Sequence, residues 1–356
     1  MSKRLPIVVV SLVAALTLAA CGGNGDGNGG SGGSGGSDNG ASGDGGAERP
    51  SVVNVINGSL GDQGFFDDAA RGMAALEEAG SRIQNVQADA ENPAQWRSNL
   101  ESVSGGDWDV VITGTSQMVD ILDETAPKYP DQTFIIYDSV VEQPNVASIV
   151  YKQNEGSYLA GVLAALATTD TDTFPLANDE KVVGLVGGMD IPIINDFVVG
   201  FKKGVEAVDP EIEVLVSYVG DFFDSNRGYD QAMAMYDQGA DVVFQVAGGA
   251  GIGVLTAAAE ADRYAIGVDS NQNPLQEGHV LASMLKNIGV SLESAVNDYV
   301  EGKLALGEVT EYGLSNNGVS LTFDDNGDTV PQEIKDLIAE YGQKVVDGEI
   351  EVPTAL

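Results

Sequence analysis

The chain has one cysteine, Cys21, and one histidine, His279, among 356 residues. With one of each, no intrachain disulfide and no H-E-x-x-H zinc helix is available, and no G-x-S-x-G nucleophile turn occurs either. Basic residues are scarce as well: 17 Lys and Arg face 54 Asp and Glu, for a net charge of −37. Nucleic-acid binding needs a basic footprint, so that class is excluded, and a phosphorylated ligand is disfavoured. The excess acid reads as a surface property tied to solubility, as in a saline exterior, rather than as a fold signal. Past Ala20 no run reaches the roughly 18 consecutive apolar residues of a membrane-spanning helix. A catalytic set, a resident metal and a cofactor are all without a sequence signal, and no enzyme activity is expected.

What is present begins at the N-terminus. Lys3 and Arg4 precede an apolar run from Ile7 to Ala20 that ends in Leu18-Ala19-Ala20-Cys21-Gly22. Residues 1–20 therefore read as a signal peptide. Small residues leading into a lone cysteine are similar to the bacterial lipobox, so Cys21 is expected to carry a lipid and to anchor the protein on the extracytoplasmic face of the cell membrane. Residues 21–49 are mostly Gly, Ser, Asn and Asp and cannot offset their ordering entropy by burial. They read as a flexible tether with a reach of roughly 30 Å.

The stretch from residue 50 onward is long enough for two lobes with separate cores. Val52-Val53-Asn54-Val55-Ile56 is a strand that stops at Gly61-Asp62-Gln63-Gly64-Phe65-Phe66-Asp67, and a helix capped by Asp67 follows. Further strands lie near Arg82–Ala88, at Asp109–Thr113 before Gly114-Thr115-Ser116-Gln117, and at Phe134–Tyr137 before Asp138-Ser139. After Asn145–Tyr151 a second set starts, with a helix whose glycines and alanines form a close-packing face (Glu155–Leu163) and strands at Val182–Val186, Val214–Val219, Asp241–Val246 and Ala265–Val268. This alternation predicts an α/β fold of two doubly wound parallel-sheet lobes. The expected boundaries are 50–150 with 286–308 for the N-terminal lobe and 151–285 with 309–356 for the C-terminal lobe. The lobes are expected to be joined by three crossings near Tyr151, Met284 and Leu306.

Candidate ligand residues sit at strand ends, where open α/β sheets bind their ligands. Gly220-Asp221-Phe222-Phe223-Asp224 repeats the aromatic loop of the first lobe, and four of the ten phenylalanines lie in these two loops. Two such loops predict a clamp on a planar group, each stack contributing about 0.5–1.5 kcal/mol beyond burial. Asp62, Asp138 and Asp269 end strands and suit hydroxyl or ring N–H donors, with Lys286 placed to neutralise one of them. Individually, each acid reads equally well as a helix cap. Gly248 to Gly253 does not match a dinucleotide fingerprint, since Val254 takes the sixth position, and instead allows close backbone approach to a neutral ligand. Asp324-Asp325-Asn326-Gly327-Asp328 lacks the glycine and glutamate offsets of a calcium loop and reads as a turn.

The segments Ala126-Pro127-Lys128-Tyr129-Pro130-Asp131, Pro144-Asn145-Val146-Ala147-Ser148, Glu155-Gly156-Ser157-Tyr158-Leu159-Ala160-Gly161, Gly187-Gly188-Met189-Asp190-Ile191-Pro192 and Ile266-Gly267-Val268-Asp269-Ser270 resemble the basic membrane protein family of ABC-transporter lipoproteins. The resemblance covers about residues 50–345 and implies a type I periplasmic-binding-protein fold. It implies an extracytoplasmic receptor, expected as a monomer, that closes two lobes on a nucleoside and hands it to an ABC permease and ATPase. On that resemblance Phe65 or Phe66 and Phe223 sandwich a base and Asp138 accepts from the base edge or a hydroxyl. Asp269 with Lys286 holds the ribose, and Asp62, Ser116, Asn195 and Gly248 complete the candidate set. The first loop departs from the family pattern Asp-Lys-Ser-Phe-Asn, because Gln63 and Gly64 replace Lys and Ser and Phe66 replaces Asn. A ribose-like sugar receptor and a sensor ectodomain stand as alternatives.

Overall fold

The β-branched runs singled out above form the inner strands of two sheets. The computed structural model describes residues 49–356, so the signal segment, Cys21 and almost all of the tether lie outside the described residues. In the first half the order is β1 (Ser51–Val55), α1 (Phe65–Glu78), β2 (Arg82–Val86), α2 (Pro93–Val103), β3 (Val110–Gly114), α3 (Val119–Thr125), β4 (Thr133–Tyr137) and β5 (Val146–Tyr151). The second half runs α4 (Gln153–Thr169), β6 (Val182–Gly187), α5 (Pro192–Val208), β7 (Glu213–Tyr218), α6 (Ser225–Tyr236), β8 (Ala240–Val246), α7 (Gly251–Glu260), β9 (Tyr264–Asp269) and β10 (Val280–Lys286). The chain then adds α8 (Ile288–Val300), β11 (Val309–Tyr312), β12 (Val319–Thr322) and α9 (Gln332–Val346).

Each sheet has six strands, in the orders β11-β5-β4-β3-β1-β2 and β12-β10-β9-β8-β6-β7. All pairings are parallel except β10 with β12. The two sheets thus repeat one doubly wound topology, whose order reverses beside β1 in one lobe and β6 in the other. Ligands collect in the crevice at such switch points. Helices cover both faces, which is why β3, β6, β8 and β9 are buried along their whole length rather than alternating.

The close-packing face of α4 meets α5. A Cβ at Gly204 would lie 2.0 Å from the Tyr158 carbonyl oxygen, and one at Gly161 would lie 2.1 Å from that of Phe201. Only glycine allows two helix backbones to approach so closely, and this contact builds the second lobe's core around Phe197, Phe201 and Phe244.

The chain passes between lobes three times. β5 hands over to α4 at Tyr151–Gln153, and β10 hands over at Lys286–Ile288 to α8, which packs on α1 in the first lobe. The third passage differs from the expectation near Leu306. β11 pairs in parallel with β5, Val309 opposite Ser148 and Tyr312 opposite Tyr151, so residues 309–312 stay with the first sheet. The chain crosses only between Tyr312 and Val319. Val309-Thr310-Glu311 is short and exposed and holds a single apolar residue, which hides an edge strand from a search for apolar runs.

Candidate functional site

Between the lobes lies a cleft of ≈ 900 Å³, walled by the loops that follow β1, β2, β3, β4, β6, β7 and β8 and by the ends of β9 and β10. Of the sequence-derived candidates, Asp62, Phe65, Phe66, Ser116, Asp138, Phe223, Gly248, Asp269 and Lys286 line it. Asn195 does not. Its amide donates to Asp190 Oδ1 at 2.9 Å and its carbonyl accepts from Tyr218 Oη, so α5 turns this side chain away from the cleft.

The first aromatic loop is wound by two acids. The Asp62 carboxylate accepts from the backbone N–H of Gly64 (3.1 Å), Phe66 (2.8 Å) and Asp67 (3.1 Å). Gly64 holds the N-cap position of α1 and Asp62 supplies the acceptor for its first N–H groups, whereas Asp67 reaches back to the N–H of Gly61 (2.8 Å) and Gln63 (2.9 Å). This is the helix-cap alternative for Asp62, and it leaves that carboxylate engaged by the loop. The two rings are held edge to face, centroids 5.3 Å apart, and Phe65 lies 5.6 Å from the Tyr137 ring. Phe66 rests on Gly58, where a Cβ would stand 2.6 Å from the ring.

The second loop repeats the device. Asp221 accepts from Phe223 N (2.9 Å) and Asp224 N (2.7 Å), Asp224 caps α6, and Arg227 ties Asp221 to the Val219 carbonyl. Phe222 lies over Gly188, at 2.3 Å from a Cβ placed there. Phe223, the ring singled out from the sequence, is 48% exposed at the mouth, so Phe222 is the ring seated inside the second wall.

The floor is ionic. Lys286, at the end of β10, forms a direct ion pair with Asp138, at the end of β4, and both are buried. Its Nζ lies 5.1 Å from the ring of Tyr151, 5.4 Å from Phe197 and 5.7 Å from Phe65, which adds cation–π attraction in a desolvated setting. Burial raises the Asp138 carboxyl, with Lys286 opposing. The partner of Lys286 is thus Asp138 rather than Asp269, the acid paired with it in the sequence reading.

Asp269 is different. It is 7% exposed and lines the cleft, yet among the described residues no donor reaches its carboxylate within hydrogen-bond distance. Burial pushes it up to about 7, Lys286 opposes, and the charges of Asp62, Asp138 and Asp68 add to the rise. Asp138 (φ +62°) and Asp269 (φ +64°) both take the left-handed conformation, which aspartate tolerates and which turns each side chain from its strand end toward the cleft.

Sequence reasoning missed several lining residues. Asn57 lies two residues past the end of β1 and Thr115 directly follows β3; Thr115 Oγ1 donates to Asn57 Oδ1 (3.2 Å) and Asn57 Nδ2 to Gln117 Oε1 (3.0 Å). Thr115 has φ +75°, an outlier for a β-branched residue and typical of strain held at a site. Their position after strands was a usable signal. Trp96 and Phe197 are buried core residues of their helices, yet each also faces the cleft, a double role that helical spacing does not reveal.

The family of PnrA-like ABC-transporter substrate-binding proteins matches residues 49–355. A CD4+ T-cell-stimulating antigen of Listeria monocytogenes is 30% identical over 99% of both chains. An ABC-transporter nucleoside-binding protein of Lactococcus lactis is 30% identical over 86% of this chain and 89% of its own. Among solved structures, an ABC-transporter solute-binding protein from Aeropyrum pernix superposes with a TM-score of 0.76 at 26% identity, covering 85% of this chain and 94% of that one.

Proposed function

We propose, from the premise that this chain belongs to the PnrA-like family of ABC-transporter substrate-binding proteins, that its cleft receives a purine nucleoside for import. The observation that carries the reading is Asp269, a buried carboxylate that no donor among the described residues reaches, beside two aromatic loops. Such an acceptor suits the vicinal hydroxyls of a ribose, which supply two donors in one plane. A base fits between the Phe65–Phe66 pair and Phe222, with Phe223 closing the mouth. Asp138, already held by Lys286, keeps a second carboxylate oxygen for the base edge or a hydroxyl. The acids of the cleft disfavour phosphate, which excludes nucleotides.

In this reading the lobes turn about the three passages and close on the ligand, which removes water from the acids and strengthens each hydrogen bond. Cys21 supplies the lipid anchor, the tether keeps the body within reach of a permease, and the receptor acts as a monomer that carries its ligand unchanged. A nucleoside relative from Lactococcus lactis supports the ligand class. A simple sugar is the second reading, favoured by Phe66 standing where the family pattern has Asn.

Calorimetry with adenosine, inosine, guanosine, the free bases and ribose separates the two. The nucleoside reading expects a nucleoside to bind far more tightly than its base or ribose. Ribose binding as tightly as any nucleoside would refute it and leave the sugar receptor standing. Sustained release of free base from inosine would refute the receptor reading itself.

A further inference from the structure

Two residues that follow Asp269 reach across the cleft. Ser270 Oγ donates to the Gly64 carbonyl at 3.0 Å and accepts from Arg71 Nη2 at 2.7 Å. Gln272 Nε2 donates to the Gln63 carbonyl at 3.0 Å. Gln63, Gly64 and Arg71 belong to the first lobe and Ser270 and Gln272 to the second, so all three bonds span the lobes. On one side they adjoin Phe65 and on the other Asp269.

The two side chains are built in differently. Ser270 is 5% exposed and its hydroxyl has no hydrogen bond within its own lobe, so its whole polar capacity is spent on the opposite one. Gln272 is 1% exposed. Its Oε1 accepts from Val268 N (3.0 Å) and from Gln245 Nε2 (2.6 Å), while Gln245 Oε1 accepts from Ala247 N (3.1 Å). One amide thus ties the loop after β8, which carries Gly248, to the end of β9, which carries Asp269, and points one of its two N–H donors at the first lobe. On opening, the carbonyl of Gly64, a buried residue, and that of Gln63, an exposed one, would lose these donors and exchange them for water.

We infer that Ser270 and Gln272 are positioning residues that form a closure latch, holding the aromatic loop of the first lobe against the Asp269 loop of the second and setting how long a ligand stays bound. This rests on the reading of the cleft as a nucleoside site for its kinetic arm only. The latch acts on closure, and closure can be measured with no ligand.

Two variants test it. Ser270→Ala removes only bonds between lobes. Gln272→Glu keeps the acceptor for Val268 and Gln245 but turns an acceptor toward the Gln63 carbonyl. In small-angle scattering of the ligand-free full chain, both variants are expected to have a larger radius of gyration than wild type. In stopped-flow displacement of inosine, each is expected to raise the dissociation rate roughly tenfold while the association rate stays within about twofold. Lowering the pH from 8 to 5.5 is expected to bring the ligand-free scattering curve of Gln272→Glu toward that of wild type at the same pH, since a protonated carboxyl regains a donor for the Gln63 carbonyl, while the Asp269 carboxylate beside the same Gly64 position is common to both proteins. A merely structural role would lower thermal stability and show no such recovery. Superimposable ligand-free scattering curves for the three proteins would overturn the latch. Absence of inosine binding to wild type would overturn the nucleoside reading instead, leaving the scattering result to decide the latch.

Discussion

Replacing Asp269 with Asn tests whether this carboxylate is kept for a ligand at the expense of the empty protein. The amide is isosteric and tolerates the left-handed φ of +64° that the position requires. In the folded protein burial holds Asp269 at about 7 against its ordinary 3.8. The raised value means that the unfolded chain loses its proton first, so the group costs nothing below about pH 4 and progressively more as pH rises to about 7. The gap of about 3 units corresponds to about 4 kcal/mol at pH 8 and about 2 kcal/mol at pH 5.5. Asp269→Asn should therefore stabilise the ligand-free protein, by more at pH 8 than at pH 5.5. The same change should weaken nucleoside binding by about 1.5–3 kcal/mol, the value of a hydrogen bond to a charged group. Urea denaturation at the two pH values and calorimetry on the same preparations give both numbers. A variant less stable than wild type at pH 8, or one that binds nucleoside unchanged, would refute the reasoning.

The same carboxylate predicts that nucleoside affinity is greatest above pH 7 and falls by up to about tenfold per unit below it, because only the ionised form accepts from both hydroxyls; a flat pH profile in calorimetry would contradict this. Lys286→Met strands the buried Asp138 and should cost about 3–5 kcal/mol in urea denaturation, most of it recovered by adding Asp138→Asn. Gly204→Ala should lower the melting temperature by several degrees, since its Cβ meets the Tyr158 carbonyl oxygen at 2.0 Å and overpacking costs about 1–3 kcal/mol. Phe222→Ala should weaken nucleoside binding more than Phe223→Ala, the latter ring being half exposed, and equal losses would move the stack to the mouth of the cleft.

Much of the architecture was legible because its signals are local. Val110-Val111-Ile112 and Val242-Val243-Phe244 are buried on both faces, and a parallel strand covered by helices needs an unbroken apolar run. The two Phe-Phe loops are local too, since acids within each loop wind its turn and a glycine leaves room for one ring in each, Gly58 under Phe66 and Gly188 under Phe222. Strand-end acids were found for the same reason: Asp138 and Asp269 end their strands in the chain itself. Tertiary structure decided what depends on residues far apart. Lys286 lies 17 residues from Asp269 and 148 from Asp138, and only the meeting of β4 with the second crossing made the distant one its partner. Asp62 became a capping acceptor because three N–H groups of its own loop face it. Asn195 was lost to the cleft because α5 aims it at Tyr218, and Trp96 was gained because one edge of a core residue is left uncovered. Periodicity records which face of an element is apolar; it holds no information on which lobe an exposed edge strand such as Val309–Tyr312 joins, or on which of three acids a buried lysine meets when two lobes close.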